Sequence, residues 1–320
     1  MKYIFLPFLN NSEGKNWRSS LEESFKENEG KSLTDEINNI RQENGLKLNN
    51  KEEYIEKLHA KKSARQIIWL DKLAAETERV FRLECEKLTG DKLDSKKTTV
   101  IAALPEFFWY DINDNDKHKT DIINYHKPIY AANLINYLLG NKNPLVKLTA
   151  DYPNLIFFAG TAMWKYLDPE NKEDIYNTLM IFGGGKLLKV WTKVNISTID
   201  GFCDLSQSKV MKDKIGYGTT NGIPAVSFNG KTFVFDICLD FSIEPGESPL
   251  SSKLFSGNSD VNLLISSGMP VDSAKLSLMS SPLLFRCDGN GSDNAYAEIR
   301  DKSGTVNIRP TSIGCLEINM

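Results

Sequence analysis

KTFVFDICLDF, residues 231–241, decides the fold. Its apolar, β-branched and aromatic residues read as a buried strand, and the run stops at Cys238 and Asp240. A strand end is a rigid mount that can present a side chain to a cleft. Working outward, the same form recurs. TTVIAAL (98–104) is a buried strand that runs into Pro105-Glu106. TLMIFGGGKLLKVWTKVN (178–195) reads as a hairpin turning at Gly183-Gly184-Gly185, whose second arm delivers Lys193. A thiol, a carboxylate and an ammonium at strand ends make chemical sense as a unit. The thiolate is a nucleophile, a nearby Lys⁺ favours the thiolate and stabilises an oxyanion, and a carboxylate moves protons.

The remaining chain supplies a frame for these ends. Residues 3–9, NLIFFAGTAMW (154–164) and DVNLLISSGMP (260–270) read as strands. AYAEIRDKSGTVNIRPTSIGCLEIN (295–319) reads as two or three closing strands with a turn at Ser303-Gly304. Ile129 to Leu139, with Pro128 near its start, predicts a helix. Residues 10–97 contain no Pro and are dense in Lys, Glu and Asn. Ser32 with Asp35 and Glu36 predicts a short capped helix. From Lys51 to Leu88 the residues Ile55, Leu58, Leu70, Leu73, Thr77, Phe81 and Leu88 recur at helical spacing, which predicts one long helix or two broken ones. Strands with helices between them predict an α/β fold with layered packing. No linker divides it, so 1–320 reads as a single domain, with 10–97 as a helical insertion after the first strand. That insertion reads as a solvated face, a lid over a cleft, or a docking site for a protein partner. Trp17, Phe25, Tyr54, Trp69 and Phe81 are spaced for burial in it.

Composition excludes several classes. The 320 residues are 41% hydrophobic and 25% charged, the balance of a globular protein. The 39 Lys+Arg against 42 Asp+Glu leave a net charge of −3, which points to neither nucleic acid nor an anionic membrane. The five cysteines, at 85, 203, 238, 287 and 315, are odd in number and form no CxxC. They read as free thiols of a reducing compartment, hence a cytoplasmic protein, and not as zinc ligands or a disulfide framework. Cys85, Cys203, Cys287 and Cys315 read as packing residues. The N-terminal apolar run is too short for a usual signal peptide, and no run of about 18 apolar residues crosses a membrane. His59, His118 and His126 suit no metal motif. GGGK (183–186) lacks the longer phosphate-loop pattern and leads into strand-type residues, so it reads as a turn.

The order Glu106, Lys193, Cys238, in the contexts LPEFFW, KVWTKVN and FDICLDF, resembles the nitrilase or carbon–nitrogen hydrolase superfamily. IFFAGTAMW, YNTLMIF (176–182), SDVNLLISSGMP and DKSGTV resemble its flanking strands and late turn. The resemblance spans 1–9 and roughly 98–320. It implies a four-layer α-β-β-α sandwich that pairs into homodimers unless the insertion obstructs the pairing. It implies a small-molecule amide or nitrile substrate, with no metal or organic cofactor. Cys238 would attack the carbonyl or nitrile carbon. Glu106 would carry the proton to departing ammonia. Lys193 and the backbone N–H of Leu239 would hold the oxyanion, with Asp240 in support.

The sequence also departs from that pattern. Ser242 stands where the family commonly has Arg, and Val234 where a small residue is usual. Gly201 stands where many amidases carry a second Glu, and the adjacent Asp200 is the candidate auxiliary acid. The Asn-containing strand expected in 283–297 looks shortened. Ser242 and Gly201 weigh toward two alternatives. One is a catalytically weak relative that binds a partner through 10–97. The other is an amidase acting on a protein substrate.

Overall fold

The computed structural model describes residues 2–7, 17–30, 35–36, 39, 51–88, 98–109, 129–165, 175–195, 222–241, 246–289, 297–304 and 315–319. The predicted short helix around Ser32 lies mostly outside them, and residues 110–128, 196–221 and 305–314 lie outside them.

The described strands form two sheets. β1 (Lys2–Leu6), β2 (Thr98–Ala103), β4 (Leu155–Lys165), β5 (Ile175–Gly183), β6 (Lys186–Thr192) and β12 (Leu316–Asn319) lie in the order β12-β1-β2-β4-β5-β6. The short β3 (Ile129–Tyr130) pairs with the far end of β4. The second sheet runs β11-β10-β9-β8-β7, from β7 (Ala225–Phe228), β8 (Lys231–Ile237), β9 (Val261–Ser266), β10 (Leu283–Asp288) and β11 (Ala297–Asp301). In each sheet the central strands are parallel: β1, β2 and β4 in one, and β8, β9 and β10 in the other. Parallel strands are covered on both faces, so their sequences lack alternation. TTVIAA, VNLLIS and LLFRCD are accordingly buried at every residue.

Alternate residues then find different neighbours. Phe5 meets Phe285 with ring centroids 5.1 Å apart, and Phe158 meets Phe233 and Phe235 at 6.1 and 6.2 Å. Trp191 meets Phe235 at 6.1 Å. These are contacts between one sheet and the other. Phe157, one residue from Phe158 and so on the opposite face, meets Phe81 of helix α2 (Lys51–Lys87) at 4.7 Å. On the second sheet, Leu264 and Leu284 form a separate apolar cluster with Leu276 of the short helix Ser273–Ser277, and with Met279 and Phe241.

The helical stretch is part of this core. α2 is one unbroken helix, and Trp69, Leu70, Leu73, Phe81 and Leu88 lie 0–1% exposed. Helix α1 (Trp17–Phe25) adds Trp17 and Phe25, the latter against Trp69 at 5.4 Å.

Other expectations shift. KTFVFDICLDF is a strand only to Ile237, and Cys238–Phe241 form a 3₁₀ turn. Asp240 and Phe241 are buried in this turn. The predicted helix from Ile129 begins with the β3 pairing and becomes helical only from Ala131, ending in a π turn at Leu134–Leu138. β10 is a full strand inside the stretch read as shortened; its Arg286 and Asp288 obscure the apolar signal and are paired in the interior. Among the described residues, no helix is long and apolar enough to cross a membrane.

Candidate active site

Glu106 is set by a turn that both sheets hold. After β2, Leu104 N–H donates to Phe158 O, and Glu106 N–H donates across to Ser266 O at the end of β9. Phe107 has φ 59°, a strained value for a side chain with a Cβ, and its N–H donates to Thr161 Oγ1 at 2.8 Å. Trp109 returns to β4 through its N–H to Thr161 O, and its indole N–H donates to Ala159 O at 2.6 Å. Opposite this turn β4 slips register between Phe158 and Thr161. Gly160 sits in that bulge at φ +66°, and a Cβ there would stand 2.4 Å from Pro105 O. Only glycine lets the Glu106 turn approach so closely.

Lys193 follows β6. Its backbone N–H donates to Asn177 O at 2.8 Å, continuing the β5–β6 pairing one step beyond Thr178 and Thr192. Its Nζ donates to Glu106 Oε1 at 2.8 Å, with the two side chains 1% and 0% exposed. The ammonium also lies 5.9 Å from the centroid of the Phe107 ring. Asn177 Nδ2 donates to the same Oε1 at 2.9 Å. The amide oxygen of Asn177 is buried and has no hydrogen-bond partner among the described residues. An orphaned acceptor of this kind costs about 1–3 kcal/mol.

Cys238 opens the 3₁₀ turn after β8 with φ 49°. Such a conformation costs a non-glycine residue roughly 1–2 kcal/mol, and such strain clusters at functional sites. Cys238 is half-buried, whereas Cys85, Cys287 and Cys315 are buried; all four are free thiols. Two residues on, Asp240 ties this turn to the Lys193 segment. Its Oδ1 accepts from the backbone N–H and the side-chain Nδ2 of Asn195, both at 2.8 Å, and its Oδ2 accepts from Val194 N–H at 3.3 Å. Burial pushes the Asp240 carboxyl up to about 7, against the opposing pull of the Lys193 charge and the Asn195 donors.

A buried ionic cluster fixes the neighbouring strand ends. Asp288 accepts from Arg286 at 2.9 Å, from Ser266 Oγ at 2.7 Å and from Gly268 N–H at 2.8 Å, and Arg286 also pairs with Glu298 at 3.0 Å. It thereby holds Ser266, the residue whose carbonyl receives the Glu106 N–H.

Thus Glu106 and Lys193 are in direct contact, and the turn bearing Cys238, Leu239 and Asp240 is tied to the residues after Lys193. Asp200, Gly201, Cys203 and Ser242 lie outside the described residues, as do His118 and His126. Sequence reasoning assigned no role to Asn177, although YNTLMIF was singled out. Its signal was an amide in an otherwise apolar strand, at the position where pairing brings it beside Lys193. Gly160 carried a weaker signal, an isolated glycine within a strand pattern. Among the described residues, no three His, Cys, Asp or Glu side chains are grouped as metal ligands would be.

No family model and no curated protein matches the chain. Among solved structures, glutamine-dependent NAD+ synthetase from Acinetobacter baumannii in complex with adenosine diphosphate is similar over 78% of this chain, at 14% identity and a TM-score of 0.41. A glutamine-dependent NAD(+) synthetase from Cytophaga hutchinsonii is similar over 68%, at 11% identity and a TM-score of 0.34. This chain spans 43% and 36% of their respective lengths. Similarity at this level assigns neither a family nor an activity.

Proposed function

We propose that this protein is a nitrilase-like cysteine hydrolase of non-peptide carbon–nitrogen bonds, folded as a four-layer α-β-β-α sandwich. The observation that carries the reading is the buried contact of Lys193 Nζ with Glu106 Oε1, with the Cys238 turn tied beside it through Asp240 and Asn195. A carboxylate and an ammonium withdrawn from water are costly unless they are paired, and here the pair stands at strand ends. The fold reading is supported by the sheet-to-sheet ring contacts and by the helical cover at Phe81 and Leu276.

The reaction then runs in two halves. Glu106 takes the Cys238 thiol proton as sulfur attacks the carbonyl carbon of an amide. A tetrahedral oxyanion forms, stabilised by Lys193 and the Leu239 N–H. The C–N bond breaks as Glu106 passes the proton to nitrogen, and ammonia leaves a thioester on Cys238. Water, losing a proton to Glu106, attacks the thioester, and the carboxylic acid departs as the proton returns to sulfur. A nitrile enters the same sequence through a thioimidate, which water converts to the thioester with loss of ammonia.

The test is ammonia release from a panel of linear primary amides and nitriles by the wild type, Cys238→Ala and Glu106→Gln. The expected result is release by the wild type and loss in both variants. Release that survives Cys238→Ala excludes the thioester route. A folded wild type inert to the whole panel, with an unactivated Cys238, favours the non-catalytic binding reading.

A further inference from the structure

We propose that Asn177 is a positioning residue for Glu106: its amide holds Oε1 next to the Lys193 ammonium and favours the ionised carboxylate. The inference deepens the hydrolase reading and rests on it.

Two donors converge on one oxygen. Lys193 Nζ and Asn177 Nδ2 reach Glu106 Oε1 at 2.8 and 2.9 Å. A donor on one side of Oε1 leaves the terminal torsion of a Glu side chain broad. Rotation would place either oxygen, or both, on the ammonium. A second donor, on a strand and from a different direction, removes that freedom. The orientation of the Asn177 amide follows from charge, since its oxygen turned toward a carboxylate would be repelled. The same residue sets the other partner, because Asn177 O receives the Lys193 backbone N–H at 2.8 Å. One position on β5 therefore meets both partners, the carboxylate through its side chain and the Lys193 backbone through its carbonyl. Asn177 does this while its own oxygen lies buried without a partner among the described residues. The unpaired oxygen is a cost that the charge-assisted bond from its nitrogen to Glu106 offsets.

Among the described residues, the other titratable or charged groups about the Glu106 turn are Lys193, Cys238 and Asp240, and the Arg286–Asp288 pair behind Ser266. Asn177 is the neutral member. Replacing it by Asp adds a like charge beside Glu106, and replacing it by Leu removes a donor to the ionised form. Both changes favour protonated Glu106, the first more strongly.

The experiment is the pH dependence of Cys238 alkylation by iodoacetamide, read by peptide mass, in the wild type, Asn177→Asp, Asn177→Leu, Glu106→Gln and the Glu106→Gln/Asn177→Leu pair. The expected result is an acidic midpoint raised by about one pH unit in Asn177→Leu and by more in Asn177→Asp. In the Glu106→Gln background, Asn177→Leu is expected to move nothing. Folded Asn177 variants with the wild-type midpoint would overturn the proposal, because a purely structural role changes stability and not the midpoint. A second measurement needs no Asn177 variant. In asparagine-labelled protein, the Asn177 side-chain N–H resonances, assigned through the backbone, are expected to shift in Glu106→Gln. Resonances indifferent to Glu106→Gln would overturn the proposal. A wild-type Cys238 no more reactive than a cysteine peptide would instead sink the hydrolase reading, and the resonance test would still decide the Asn177 contact.

Discussion

Replacing Lys193 by Met isolates what the buried pair does for the fold. The Met side chain nearly preserves the aliphatic stem and removes the charge. At 2.8 Å the Lys193–Glu106 attraction is about 6 kcal/mol for an effective dielectric of about 20. Desolvation of both ions offsets most of it, so the pair contributes little net stability. Removing one partner is different. Glu106 is then left 0% exposed without its ammonium partner, with Asn177 Nδ2 still donating to Oε1. The expected cost is about 3–5 kcal/mol at neutral pH. Glu106→Gln in the same background neutralises the orphaned charge, so Glu106→Gln/Lys193→Met is expected to recover about 1–3 kcal/mol relative to additivity. The assay is urea unfolding followed by tryptophan fluorescence for the wild type, both single variants and the double variant. Lowering the pH should also narrow the gap between Lys193→Met and the wild type, as Glu106 takes up a proton. A Lys193→Met variant within about 1 kcal/mol of the wild type, or a strictly additive cycle, would refute the burial reasoning.

Gly160→Ala is expected to cost about 2–5 kcal/mol in the same assay, since it combines a positive φ with a Cβ 2.4 Å from Pro105 O; a change below about 1 kcal/mol would contradict the bulge geometry. Phe81→Ala is expected to lose about 3–5 kcal/mol, because its ring is fully buried against Phe157; a near-neutral result would make α2 an appendage. Asp240, raised from 3.8 to about 7 by burial, holds more protons folded than unfolded, so its contribution is full below about pH 4 and is lost as the pH rises toward 7. Asp240→Asn should flatten that fall by up to a few kcal/mol, leaving the part due to Asp236, which burial raises to about 6. Unfolding curves at several pH values check this, and an unchanged slope would contradict it.

Much of the strand framework was legible because parallel strands are unbroken apolar runs. β2 and β4 fall within a residue of 98–104 and 154–164, the β5–β6 hairpin turns at Gly183–Gly185 but spans 175–192 and not 178–195, and β9 fills only the first part of 260–270. β10 was obscured because its polar residues are satisfied by one another and not by water, a pairing visible only in three dimensions. The end of β8 after Ile237 was marked by Cys238 and Asp240, where the apolar run stops, but the 3₁₀ form of the turn was not. At the site, Glu106 and Lys193 were legible as polar residues ending apolar strands. Asp240 entered as a supporting residue only through the family resemblance, without its partners, and the roles of Asn177 and Gly160 were not legible, because each depends on a partner distant in sequence. Register carries Asn177 to Lys193, a bulge carries Gly160 to Pro105, and Asp240 reaches Asn195 across 45 positions.

The central claim is that Lys193 and Glu106 activate Cys238. The measurement that tests it most directly is the rate of Cys238 alkylation against pH, referenced to a free cysteine peptide, in the wild type and in Lys193→Met. The expected result is a wild-type midpoint below that of the peptide, rising toward it when the lysine charge is removed. A wild-type midpoint at or above the peptide's, unmoved by Lys193→Met, would contradict the claim.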